Sequence, residues 1–197
     1  MGRIGLTWPL TKIAKVLSHA LSPFTSSAWA IAVIALSRSP DLKGVLYVLA
    51  GILLTSILPF TFVLRYARRE KVEVEIPNRE VRPRLFTPVF AGYVASGLLF
   101  YALGFREMLA LTLSYVEVSL LILLVTLKWK ISVHTAGLTV PVTALTCLYG
   151  WRMVWLYSLV GLLIWVRAKL KAHSLLQAVS GAAVAAALTS TTFILKF

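Results

Sequence analysis

Acidic residues and cysteine are what this sequence has least of. Seven Asp and Glu stand against twenty Lys and Arg in 197 residues, a formal net charge of +13. So few carboxylates leave no cluster able to ligate a hard metal ion through oxygen, so neither a metal nor any other cofactor is expected. The single cysteine, Cys147, excludes an internal disulfide. Internal repeats and low-complexity tracts are absent, and no composition shift marks a second domain. Charged residues of either sign make up only 14% of the chain, and they cluster between apolar runs. That placement reads as anchoring beside a membrane rather than as a nucleic-acid surface, so no nucleic-acid partner is expected.

What the chain has is apolar length. It is 59% hydrophobic with a mean hydropathy of +0.85, more apolar than a soluble domain of this size. Runs of about 18 or more apolar residues read as bilayer-crossing helices. The expectation is an all-α, polytopic transmembrane helical bundle of about seven spans, a single integral membrane domain over 1–197. Ala28-Trp29-Ala30 has the look of a signal cleavage site, but cleavage there would cut an apolar run in half. The bilayer is thus the first expected partner. Oligomeric state is not legible.

The spans follow in order. The first runs from about Val16 to Ser37, bent near Pro23, and the second from about Gly44 to Val63, kinked at Pro59. A polar segment occupies 65–84, in which Val72 to Ile76 alternates like a strand until Pro77-Asn78 breaks it; an ordered loop with short helical turns is the other reading. The third span runs from about Leu85 to Phe105, Arg106-Glu107 forms a turn, and the fourth reaches Leu127. The fifth begins near Ser132 with a kink at Pro141. Gly150-Trp151-Arg152 turns into the sixth, ending near Arg167, and the seventh runs from His173 to Leu195. The Gly181 to Ala187 stretch permits close helix packing.

Three polar knots interrupt these spans: the arginine-rich segment, Lys130 to His134, and Arg167 to Gln177. Two spans separate each knot from the next, so all three fall on one membrane face. Arginine grips phosphate oxygens with a planar fork, and imidazole acts as nucleophile, base or acid near neutral pH. Arg82 and Arg167 are candidates to hold a phosphoryl group, His173 to attack it and His134 to protonate the leaving oxygen. Gln177, one helical turn after His173, is placed to hydrogen-bond its ring. Ser132 and His173 fall at expected helix starts, where free amides bind anions, although Ser132 also reads as a simple N-cap. Lys169, Lys171, Arg68 and Arg69 read as anchors, and His19 as an interfacial residue without partners.

The order and spacing of these residues resemble the type 2 phosphatidic acid phosphatase superfamily of membrane lipid phosphatases. Arg82-Pro83 matches the end of that family's first motif, Ser132-Val133-His134 the core of its second, and Arg167 with His173 its third. The resemblance covers about residues 65–185. It implies a metal-independent hydrolase acting on a lipid phosphate through a phosphohistidine on His173, with His134 as the acid. Glu75 stands where the family has lysine, leaving Lys71 or Arg79 as the nearby cations. Ile131, Val133 and Val166 replace proline, glycine and serine. Gln177 replaces the aspartate that orients the nucleophile, as in the dolichyl-diphosphatase-like branch, which points toward an isoprenoid phosphate or diphosphate. The alternative is a non-catalytic phosphate-lipid binding or transport protein on the same scaffold.

Fifteen of the twenty Lys and Arg fall on the face that carries the knots. By the positive-inside rule the site is expected at the cytoplasmic face of the cell membrane.

Overall fold

The computed structural model describes residues 8–70 and 82–196. These residues form helices and short links, with no strand among them. The helices are α1 Trp8–Ala20, α2 Pro23–Arg38, α3 Leu42–Ile52, α4 Leu58–Glu70, α5 Arg82–Ala102, α6 Arg106–Thr126, α7 Val133–Tyr149, α8 Tyr157–Lys169 and α9 Leu175–Lys196. A π-helical stretch, Leu53–Ile57, joins α3 to α4, and a 3₁₀ stretch, Gly150–Leu156, joins α7 to α8. Five of the resulting helical runs are long and apolar enough to cross a bilayer, or six if α1 and α2, bent by 47°, count as one span. Leu46, Leu49, Leu124 and Ile194 lie exposed on the outside, a surface suited to lipid rather than water.

Local chemistry explains the breaks. Ser22 caps α2, and Pro23 takes the first turn, where its missing N–H costs nothing. Asp41 caps α3 by accepting from the Gly44 amide at 3.1 Å. The kink expected at Pro59 takes the form of the π stretch directly before it. Proline has no N–H to give the fourth residue back, and the wider π turn absorbs that gap. At Gly150 the backbone has φ +75°, a left-handed value that glycine adopts without strain. The chain reverses there. The hydroxyls of Thr143 and Tyr157 meet at 2.8 Å, whereas a straight helix would hold them about 21 Å apart.

Several boundaries differ from expectation. Helix α4 runs to Glu70, past the end expected at Val63 and into the polar segment; Arg68 and Arg69 in its last turn suit the helix dipole. Arg106 and Glu107 are not a turn but the first residues of α6; the link is 103–105, with Phe105 packed against Tyr47 and Phe100. Helix α5 begins at Arg82 rather than Leu85. Helix α9 begins at Leu175 rather than His173. The strand-like stretch at 72–76 lies outside the described residues.

The first turns of α7 are clamped on two sides. At Gly181 of α9 a Cβ would stand 2.6 Å from the Ser132 carbonyl oxygen and 2.8 Å from the Thr135 hydroxyl, so any side chain there would force the helices apart. Thr135 Oγ1 donates to the Ala178 carbonyl at 2.8 Å. On the other side, Ser26 of α2 donates to the Gly137 carbonyl at 3.3 Å. Buried hydroxyls also join α2 to the π stretch, through Ser27 and Ser56 at 2.8 Å. Such small polar contacts hold helices together where lipid removes the hydrophobic incentive.

Candidate active site

The end of α8 and the start of α9 form one tight turn. Lys171 has φ 53°, and the amides of Ala172 and His173 both donate to the Arg167 carbonyl, at 3.2 and 3.4 Å. Arg167 and His173 are therefore tied together by backbone. The Arg167 side chain is only 4% exposed, and its Nη1 donates to the Ser18 hydroxyl of α1 at 2.9 Å. The His173 ring is 7% exposed, with Nδ1 at 3.2 Å from the Lys130 carbonyl oxygen. A carbonyl only accepts, so this contact puts the proton on Nδ1 and the lone pair on Nε2. The segment that supplies the carbonyl is itself fixed, because the Ser132 amide donates to the Gln177 carbonyl at 3.2 Å.

The side chain of Gln177 does something other than the spacing suggested. Its Oε1 accepts from the Ser174 amide at 3.0 Å, while its own amide donates to the Ser174 hydroxyl at 3.2 Å. This reciprocal pair caps α9. The contact expected between Gln177 and the His173 ring is not made. Since α9 starts at Leu175, His173 lies outside it, and one-turn helical geometry does not apply. The Lys130 main chain holds the ring instead. Ser132 caps α7 by accepting from the Thr135 amide at 3.4 Å, and it is fully buried. The amides of Ser132 and His173, expected to meet an anion, are spent on the Gln177 and Arg167 carbonyls.

A cavity of about 520 Å³ opens beside these residues, within the range of small-molecule sites. His134, Arg167 and His173 line one end of it, together with Lys130 and His19. All three histidines of the chain thus reach one space from α1, α7 and the turn before α9. None of the described lining residues is Asp or Glu, so the fixed charge on this end favours an anion. The remaining wall is largely apolar, with Phe24, Phe60, Leu85, Phe86, Val89 and Val118. Among the described residues no group of three or more His, Cys, Asp and Glu is placed to hold a metal ion.

Lys71 and Arg79 lie outside the described residues, as does Glu75. Arg82 is described only as the first residue of α5. Sequence reasoning missed Ser18 and the cavity position of His19. The span count held a signal for His19, since it falls at the end of a helix on the knot-bearing face. Ser18 gave none, being one hydroxyl in an apolar context. No protein-family model, curated protein or solved structure matches the chain, so the likeness to the phosphatidic acid phosphatases rests on the motif residues alone.

Proposed function

We propose that the protein is a membrane phosphatase that removes the terminal phosphate from an isoprenoid or glycerolipid monophosphate or diphosphate. The observation that carries this reading is the meeting of Arg167, Lys130 and all three histidines at one end of a cavity whose walls are otherwise largely apolar. A phosphate fits the charged end and a hydrocarbon the rest. His173 Nε2 attacks phosphorus, and the bond from phosphorus to the leaving oxygen breaks. His134 gives that oxygen its proton, and Arg167 steadies the charge spread over the equatorial oxygens. Water then attacks the phosphohistidine, releasing inorganic phosphate and restoring the ring. Neither step calls on a metal or other cofactor.

The hairpin at Gly150 supports counting α7 and α8 as separate crossings. With the bent α1–α2 pair as one span, that gives seven, and the charge distribution supports a cytoplasmic site. An Asn78→Cys variant in a Cys147→Ser background should resist an impermeant thiol reagent in intact cells and react after lysis. Labelling in intact cells would reverse the orientation.

The primary test is phosphate release by purified protein from short single-chain prenyl, alkyl and lysoglycerolipid phosphates and diphosphates, run beside polyprenyl diphosphate, polyprenyl phosphate, phosphatidate and phosphatidylglycerophosphate. Release should survive a chelator and fall with vanadate. The second reading is a phosphate-lipid binding or transport protein, favoured by one observation: the Gln177 amide is engaged in a cap and not at His173. Binding of these lipids without phosphate release would establish it.

A further inference from the structure

The apolar part of the cavity stops short of the far side of the bundle, and its floor is built from aromatic rings. The deepest lining residues on α5 and α6 are Tyr93 and Tyr115. Their rings stack at 4.8 Å between centroids, with 19° between planes. Each is buried, and Tyr115 Oη donates to the Gly137 carbonyl of α7 at 3.4 Å. One position before Tyr93, a Cβ on Gly92 would lie 2.4 Å from the Leu54 carbonyl oxygen. The backbone of α5 is thus pressed against the π stretch, which fixes the height of the Tyr93 ring.

Beneath the pair the bundle is solid. Ile31, Phe100, Leu111 and Val140 are each 0% exposed, and none lines the cavity. Ile31 and Phe100 close over Gly51, where a Cβ would meet them at 2.9 and 3.3 Å.

The depth follows from helix geometry. Tyr93 comes eleven residues after the start of α5, and Tyr115 eleven before the end of α6. At 1.5 Å per residue either count gives about 16 Å, roughly half the hydrocarbon thickness of a bilayer. Lys130 and His173 lie just beyond the end of α6, and the Tyr115 hydroxyl reaches the Gly137 carbonyl, three residues past His134 on α7, so the space between charged end and floor is no longer than that.

We propose that the stacked Tyr93–Tyr115 pair is a length stop, and that the site takes single-chain phosphate esters whose apolar group ends within about 16 Å of the phosphorus. This rests on the reading of the charged end as a phosphate site, and it narrows the substrate class. Long polyprenyl and two-chain glycerolipid phosphates exceed the space.

The test uses n-alkylphosphonates from butyl to hexadecyl, whose carbon–phosphorus bond is not cleaved by a phosphatase. Binding to purified protein is followed by calorimetry and by the rise in unfolding temperature. Affinity should climb roughly fourfold per added methylene while the chain stays inside, then stop climbing once the chain reaches the floor. Tyr93→Leu and Tyr115→Leu should each move the stopping point to longer chains. Val89→Phe, one turn nearer the charged end, should move it to shorter ones. Unliganded unfolding temperatures identify which variants fold, and one folded variant with a displaced stop is sufficient.

Affinity that climbs through hexadecyl, a stop unmoved in every folded variant, or no phosphonate binding at all would each overturn the proposal. The phosphatase reading fails separately. A displaced stop with no phosphate released from any ester leaves the length stop standing without the enzyme. Phosphate release with no stop leaves the enzyme without the length stop.

Discussion

Two arginines at opposite ends of the bundle show what the chain does with a buried or half-buried charge. Arg38, the last residue of α2, pairs with Glu107 at the start of α6, with Nε at 2.9 Å from Oε1. Its side chain is 47% exposed, and the neighbouring Ser37 hydroxyl meets that of Tyr149. Arg167 is buried, held by the Ser18 hydroxyl, and faces a cavity whose described lining has no carboxylate. The far-end charge pairs with a carboxylate at a half-exposed surface and ties α2 to α6. The site-end charge is buried beside a cavity and ties α8 to α1 through a hydroxyl. Burying a cation is costly, so the two ends differ in how much water shares the charge.

This contrast can be broken by substitution, starting at the site end. His173→Ala should remove the nucleophile and lower phosphate release by about ten-thousandfold or more, with the unfolding temperature little changed. Residual turnover near wild type would end the phosphohistidine mechanism. His134→Ala should cost about a hundredfold to ten-thousandfold for monophosphate esters, and least for diphosphates, whose leaving group needs no proton. Equal losses for both would show that His134 is not the acid. Arg167→Ala should lower turnover by about a hundredfold to a thousandfold. Arg38→Ala should leave turnover unchanged and shift stability by no more than about 1 kcal/mol. If the two arginine variants behaved alike, the division between the ends would be wrong.

Gln177 gives the smallest effect expected at the site. Gln177→Leu removes half of the reciprocal cap on α9 and should cost about 1 kcal/mol in stability. Because the Lys130 carbonyl already holds the His173 ring, turnover should fall by no more than about tenfold, well below the loss from neutralising an orienting carboxylate. Gln177→Glu keeps the cap oxygen and should restore stability. A thousandfold loss of turnover in the Leu variant with stability intact would return Gln177 to the mechanism.

Helix class and the gross order of spans were legible because apolar length is a property of contiguous residues. The bend before Pro23 and the reversal at Gly150 were legible for the same reason, each depending on one residue with restricted or permissive backbone. The Arg106-Glu107 turn was misread because charge suggested an aqueous loop, while a carboxylate in a helix's first turn suits its dipole. The start of α9 was misplaced because Ser174 and Gln177, not His173, hold the capping pair. Arg167, His134 and His173 were singled out by chemistry and spacing, and they line one cavity. The Tyr93–Tyr115 floor and the Ser18 contact were hidden, since both depend on which helices become neighbours.

The bond between Arg167 and Ser18 spans 149 residues of sequence, and so bears on the order in which the molecule is assembled. A chain enters the membrane from its N-terminus, and its parts fold as they emerge. Helix α1 is therefore in place long before α8 arrives to meet it. Until then Ser18 lacks its Arg167 contact, and α2 to α6 must hold their arrangement through their own hydroxyl and aromatic contacts. The charged end of the cavity is closed only when the next-to-last helix docks. An unfinished chain would thus hold the apolar walls of the cavity before Arg167 and His173 reach it.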